Sequence, residues 1–147
     1  MCVGAVKGGC VLESYFWDTG TNGPFRDIKD FNDAVQVAAI PKMPMTERKF
    51  IDSYRNLLCD TGNIYFTHAD LNLCNIMIMG PPGSRRISGI IDWDQNGWYP
   101  ECWEYWKMVM CVHYNHEWRS AGWVDKVSKT YEDEVEAMIE YTSWRGL

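Results

Sequence analysis

The feature that most constrains this chain is a change of apolar period at its centre. Before residue 60 and after residue 100, apolar residues recur at helical spacing. Between them lie three short β-branched or apolar runs, "IYFT" (64–67), "IMIM" (76–79) and "RISGII" (86–91), separated by turn chemistry. The "GPPGS" at 80–84 is a strong turn signal that makes the last two a hairpin. Polar residues gather at the ends of these runs. "HADLNLCN" (68–75) puts His68, Asp70 and Asn75 in one loop, and Asp92 and Asp94 follow the third run. Such an order predicts an α+β domain, mainly helical, whose small β-hairpin carries the polar loops.

The flanks fill in the helical part. Residues 1–26 read as a short apolar strand or hairpin followed by the loop "DTGTNGPF". A first helix is predicted from Ile28, with Asp27 as its cap, apolar positions 28, 31, 34, 35 and 38, and Pro41 as its stop. A second is predicted from Thr46, with Phe50, Ile51, Tyr54, Leu57 and Leu58 as one stripe, ending at Gly62. Residues 101–114 are apolar on nearly every side, which predicts a deeply placed helix. Val124, Val127, Tyr131, Val135, Met138 and Ile139 mark a final amphipathic helix whose outer face carries Lys126, Lys129, Glu132, Asp133 and Glu136.

Composition narrows the partners. A length of 147 residues suits one compact domain, and eight tryptophans point to a well-filled interior or a large contact surface. With 14 basic against 20 acidic residues the net charge is −6, which argues against a nucleic-acid surface. No apolar run approaches the roughly 20 residues of a membrane span. The N-terminus lacks the pattern of a signal peptide, so the expectation is a cytoplasmic chain with its six cysteines reduced. No CxxC pair suggests zinc, and Cys111, His113 and His116 read as packing residues, since on a helix the first two diverge by about 200°.

The polar loops suggest a chemistry. Asp70, Asn75 and Asp92 can bring a carboxylate, an amide oxygen and a second carboxylate to one point. These are hard oxygen ligands suited to Mg²⁺, and a carboxylate left free of metal can accept a proton from an attacking hydroxyl. Phosphoryl transfer asks for these parts, because its catalysis is mainly positioning and charge neutralisation.

The resemblance is then specific. "HADLNLCN" matches the HxDxxxxN catalytic loop of kinase-like phosphotransferases, and "IIDWD" (90–94) stands where protein kinases have DFG. With Trp93 after the aspartate, and "GWYPECWEYWK" (97–107) behind it, the chain resembles the aminoglycoside phosphotransferase and choline kinase-like family, its fungal members in particular, from about residue 25 to the end. The resemblance implies a protein-kinase-like fold, with ATP (or GTP) and Mg²⁺ as cofactors and a small-molecule hydroxyl as phosphate acceptor. It implies Asp70 as catalytic base or hydroxyl-orienting group, His68 as a brace of the loop, and Asn75 and Asp92 as ligands of nucleotide-bound Mg²⁺. Asp94, where the family often has Glu, either orients the metal site or faces solvent. Glu104 and Tyr105 fall in a segment that packs behind the site. Leu73 and Cys74 depart from the Pro- and basic-type residues common in the family's loop.

Other parts of a kinase are not recognisable. "GAVKGGCV" (4–11) has the GxxxxG half of a P-loop, but Cys10 and Val11 stand where Lys and Ser/Thr are needed. Lys7 has no evident glutamate partner. Residues 1–147 therefore read as the C-terminal lobe alone, without the nucleotide-covering lobe. Loss of one stabilising donor of that lobe costs about 10²–10³ in rate, so turnover is expected to be weak or absent. The alternative is a non-catalytic, pseudokinase-like module that self-associates or binds a partner through the face the other lobe would cover. A third reading, a metal-dependent phosphoester hydrolase using His68, Asp70, Asp92 and Asp94, lacks a further nitrogen ligand. The acceptor's identity is not encoded in the core motifs.

Overall fold

The computed structural model describes residues 2–20, 22–42, 52–111 and 116–147. The chain is α+β. Its first helix, α1 (Ile28–Ala39), begins where expected: the Asp27 carboxylate accepts from the Asp30 amide and so caps it. Ile28, Phe31, Val35 and Ala38 form its buried face. The expected helix from Thr46 to Leu58 is corrected over its described part. Thr46, Phe50 and Ile51 lie outside the described residues, and Tyr54–Leu57 is one 3-10 turn with Leu58 extended beyond it.

Four strands follow. β1 (Ile64–Thr67), β2 (Ile76–Met79) and β3 (Arg86–Ile90) occupy the three apolar runs, and β2 and β3 pair as the hairpin, from Ile76 opposite Ile90 to Met79 opposite Arg86. Gly80 makes its turn possible, since at φ +102° a Cβ would stand 2.7 Å from the Ser84 carbonyl oxygen. The fourth strand, β4 (Gly97–Pro100), was not anticipated; it pairs antiparallel with β1, Ile64 opposite Pro100 and Thr67 opposite Gly97. Residues Val3 and Gly4 extend this pair by bridging Phe25 and Trp98. A Cβ on Gly97 would lie 2.8 Å from the Gly4 carbonyl oxygen, so glycine is what allows that approach. The glycine-rich segment closes on itself, the Ala5 amide donating to Gly9 and the Gly8 amide to Ala5.

Helix α2 (Trp103–Met110) follows β4 and buries Trp103, Tyr105, Trp106, Met108 and Val109, as its apolar character predicted, but it begins later than the expected 101, and residues 112–114 of that expectation lie outside the described residues. A short helix not expected from the sequence, α3 (Glu117–Ser120), comes next, and the single final helix expected over 124–139 is corrected to two, α4 (Trp123–Val127) and α5 (Glu132–Arg145). Lys126, Lys129, Glu132, Asp133 and Glu136 are exposed, as expected, but Val127 also faces solvent. His116 is not a packing residue either: it is exposed and its Nδ1 caps α3 by accepting from the Trp118 amide, while His113 lies outside the described residues.

The main core lies where the N-terminal segment, α1, β4, α2 and α5 meet. Trp103 is at its centre, edge-on to Phe31 at 4.8 Å and stacked on Tyr99 at 5.5 Å. Residues 1–26, expected as a short apolar strand or hairpin before a loop, instead form isolated bridges and a 3-10 turn (Ser14–Phe16) among the described residues, and supply Val3, Val11, Tyr15, Phe16 and Phe25 to the core. All six cysteines are free thiols. Among the described residues no helix is long and apolar enough to cross a membrane.

Candidate active site

β1 delivers the chain into the polar loop at His68, which is buried. Glu104, in the first turn of α2, receives that loop: its Oε2 accepts from the His68 amide at 2.6 Å and the Ala69 amide at 3.3 Å. The imidazole then ties the loop in two directions. Nδ1 accepts from the Asp70 amide at 3.2 Å, which places the ring proton on Nε2, and Nε2 donates to the Ile91 carbonyl at 2.9 Å. Between them Ala69 is wholly buried at φ +64°, a left-handed conformation that costs a non-glycine residue about 1–3 kcal/mol and persists only where surroundings impose it.

Asp70 is oriented by the far end of the loop. Asn72 closes a local turn, its Oδ1 accepting from the Cys74 amide at 2.8 Å. This brings buried Asn75 round so that its Nδ2 donates to the Asp70 carbonyl at 2.8 Å and to Asp70 Oδ2 at 3.1 Å. The Asn75 carbonyl accepts from the Ile91 amide at 3.0 Å, carrying the hairpin ladder one residue past β3. Asp92 follows at once, exposed and at φ +62°. Trp93 folds back, its Nε1 donating to Ile90 at 2.9 Å, and its ring lies 4.4 Å from that of His68 and parallel to Phe66.

Of the residues singled out from the sequence, His68, Asp70 and Asn75 share one hydrogen-bonded loop. Asp92 joins them through Ile91, which pairs with both His68 and Asn75. Asp94 is exposed, and no hydrogen bond among the described residues engages it. Among the described residues no three His, Cys, Asp or Glu side chains gather as a metal-holding group. The donor set nevertheless fits a hard cation. With Asn75 Nδ2 committed to Asp70, the amide turns its oxygen end away from that contact, and Asp92 adds a solvent-facing carboxylate.

Two features were not legible beforehand. One is the Glu104 clamp, read from sequence only as backing. The other is a cavity of about 230 Å³ that reaches Asp70 and is lined also by Glu13, Trp106, Lys107, Cys111 and Thr142. Glu13 and Lys107 pair at 3.0 Å across its wall, both largely shielded from solvent. Burial, reinforced by the charge of Asp70, pushes the Cys111 thiol up to about 11. A larger cavity of about 450 Å³, with Val109, Val124, Val135 and Ile139 in its wall, contains none of the candidate residues, so the smaller one bears on the chemistry.

Residues 23–147 match the family model described as the phosphotransferase enzyme family (APH). No curated protein and no solved structure matches the chain.

Proposed function

The chain belongs to the phosphotransferase enzyme family, and on that premise we propose that its polar loops are the acceptor- and metal-facing half of an ATP-dependent (or GTP-dependent) small-molecule kinase. Residues 1–147 correspond in this reading to the C-terminal lobe of a kinase-like domain. Two observations support that correspondence: the strands described form two two-stranded sheets, and the glycine-rich segment 4–9 is taken up in a turn beside β4.

The roles follow from the hydrogen bonds. Asp70 receives the acceptor hydroxyl, and its carboxylate takes the proton as the oxygen bonds to the γ-phosphorus of the nucleotide and the bond to the departing nucleoside diphosphate breaks. Asn75 Nδ2 holds Asp70 Oδ2, which fixes the carboxylate's orientation and leaves Oδ1 for the substrate. His68 braces the loop through Asp70 and Ile91 and takes no part in proton transfer, since its Nδ1 lone pair and Nε2 proton are both engaged. Asn75 and Asp92 hold Mg²⁺, which when bound neutralises the nucleotide's phosphate charge. Asp94 is a solvent-facing neighbour.

The observation that carries this reading is the junction at Ile91, where one residue's carbonyl and amide join the HxDxxxxN loop to the Asp92 turn. Calorimetric titration of the folded chain with Mg-ATP tests it, with Mg-GTP in parallel. Binding is expected, and Asp92→Ala should weaken it by at least about tenfold, the scale of one lost charge-assisted contact. A folded chain that binds neither nucleotide overturns it. One observation favours a second reading, a binding module without turnover: the hairpin leaves Met77, Ile78 and Ile87 each at least half exposed. Nucleotide binding without phosphoryl transfer to any hydroxyl acceptor would select it.

A further inference from the structure

Strand β3 carries opposite charge at its two ends. Arg85 and Arg86 stand where it begins, Asp92 and Asp94 just past where it stops, and all four are exposed. No hydrogen bond or ion pair among the described residues engages any of these side chains. Between the charges lie Ile87, Ile90 and Ile91, each more than a third exposed. β3 pairs with β2 along one edge, and no strand of the described residues takes the other. Gly89, three residues from both Arg86 and Asp92, is the midpoint of this span. The ladder's register shifts beside it, but its φ lies outside the left-handed region and a Cβ added there would meet nothing within 4 Å. The chain's own packing therefore does not demand glycine here. A glycine inside a strand often marks a place where another backbone comes close.

An open strand edge is a template for pairing, and charge across the strands decides which pairing is allowed. A parallel neighbour of the same sequence would set arginine against arginine and aspartate against aspartate. An antiparallel one reverses the order and sets unlike charges opposite each other at both ends. That arrangement is self-complementary, the condition for a closed two-fold contact. We propose that a second copy of this chain covers the free edge of β3. The two strands run antiparallel about a two-fold axis near Gly89, with Arg85 and Arg86 of each copy opposite Asp92 and Asp94 of the other. Any other partner would need a strand of matching charge order, which a second copy has by construction. The contact is small, so the dimer is weak and the chain is monomeric at low micromolar concentration. The proposal rests on the hairpin alone and stands whether or not Asp92 also holds a cation.

Sedimentation velocity on the full chain from about 5 to about 500 µM, the range of weak and transient contacts, tests this. A reversible dimer is expected. Arg85→Glu with Arg86→Glu, and separately Asp92→Lys with Asp94→Lys, should each raise the dimer Kd at least about tenfold, since like charges then face each other at both ends. Each Asp→Lys change adds two charges, so the second pair takes the net charge from −6 to −2 and its effect cannot be overall repulsion. An equimolar mixture of the two double variants should restore the dimer, because the all-acidic strand of one then faces the all-basic strand of the other. A wild-type chain monomeric throughout, a dimer unchanged in both double variants, or no dimer in the mixture would overturn the proposal. A dimer that survives both and is lost in Ile78→Lys would move the contact to β2 and overturn it as well. Hydrogen exchange of the unmodified chain reads the same contact without any substitution. Amide protection in β3 should rise with concentration over that range, and a rise confined to other elements, or none, counts against the pairing.

Discussion

At residue scale, the His68 ring is saturated: one nitrogen accepts, the other donates, and each bond reaches a different part of the site. Replacing it with alanine leaves the Asp70 amide and the Ile91 carbonyl without these partners. Both bonds are part-buried, so His68→Ala should lower the free energy of unfolding by about 1–3 kcal/mol, measured by equilibrium urea denaturation with Mg-ATP affinity followed in parallel. The loop's composition was legible because its polar residues lie within eight positions of one another. What sequence did not reveal were partners from afar. Glu104 lies 36 residues from His68, and Lys107 lies 94 residues from Glu13. Neither pairing has a local signature, because the tertiary approach creates it.

At element scale, α2 does more than bury tryptophans. Its first turn supplies the carboxylate that receives two consecutive loop amides, so the helix and the loop hold each other. Glu104→Ala should therefore destabilise the fold by about 2–4 kcal/mol, two unsatisfied amides at the low end of their usual cost, with Glu104→Gln milder, both read from thermal unfolding. Helix α1 and the hairpin were legible for a simple reason, since cap, period and turn residues all agree there. The second helix failed where polar contacts to α1 outweigh the apolar stripe. Asn32 Nδ2 donates to the Cys59 carbonyl, and Arg55 bridges Asp33 and Asp60, which draws the chain out of helix after one turn. β4 was missed because "GWYP" becomes a strand only by pairing with β1.

At the scale of the whole molecule, apolar surface is unevenly placed. The core is closed around Trp103, while the hairpin shows Met77, Ile78, Met79 and Ile87 to solvent. The native chain should accordingly bind a hydrophobic dye such as ANS without unfolding, and Ile78→Lys with Ile87→Lys should abolish most of that fluorescence while leaving near-UV circular dichroism intact. The same layout divides the candidate site. Asp70 belongs to a loop clamped onto the core helix α2, whereas Asp92 hangs from a hairpin that shares no sheet with β1 and β4. The two halves thus draw on different reserves of local stability, one near that of the whole fold and the other near that of two strands alone. Any cation or nucleotide spanning Asn75 and Asp92 acts as a splint between them. Its affinity and the stiffness of the hairpin become two readings of one free energy, so a change that slackens the strands weakens binding without touching a ligand, and tight binding quiets a turn far from the core.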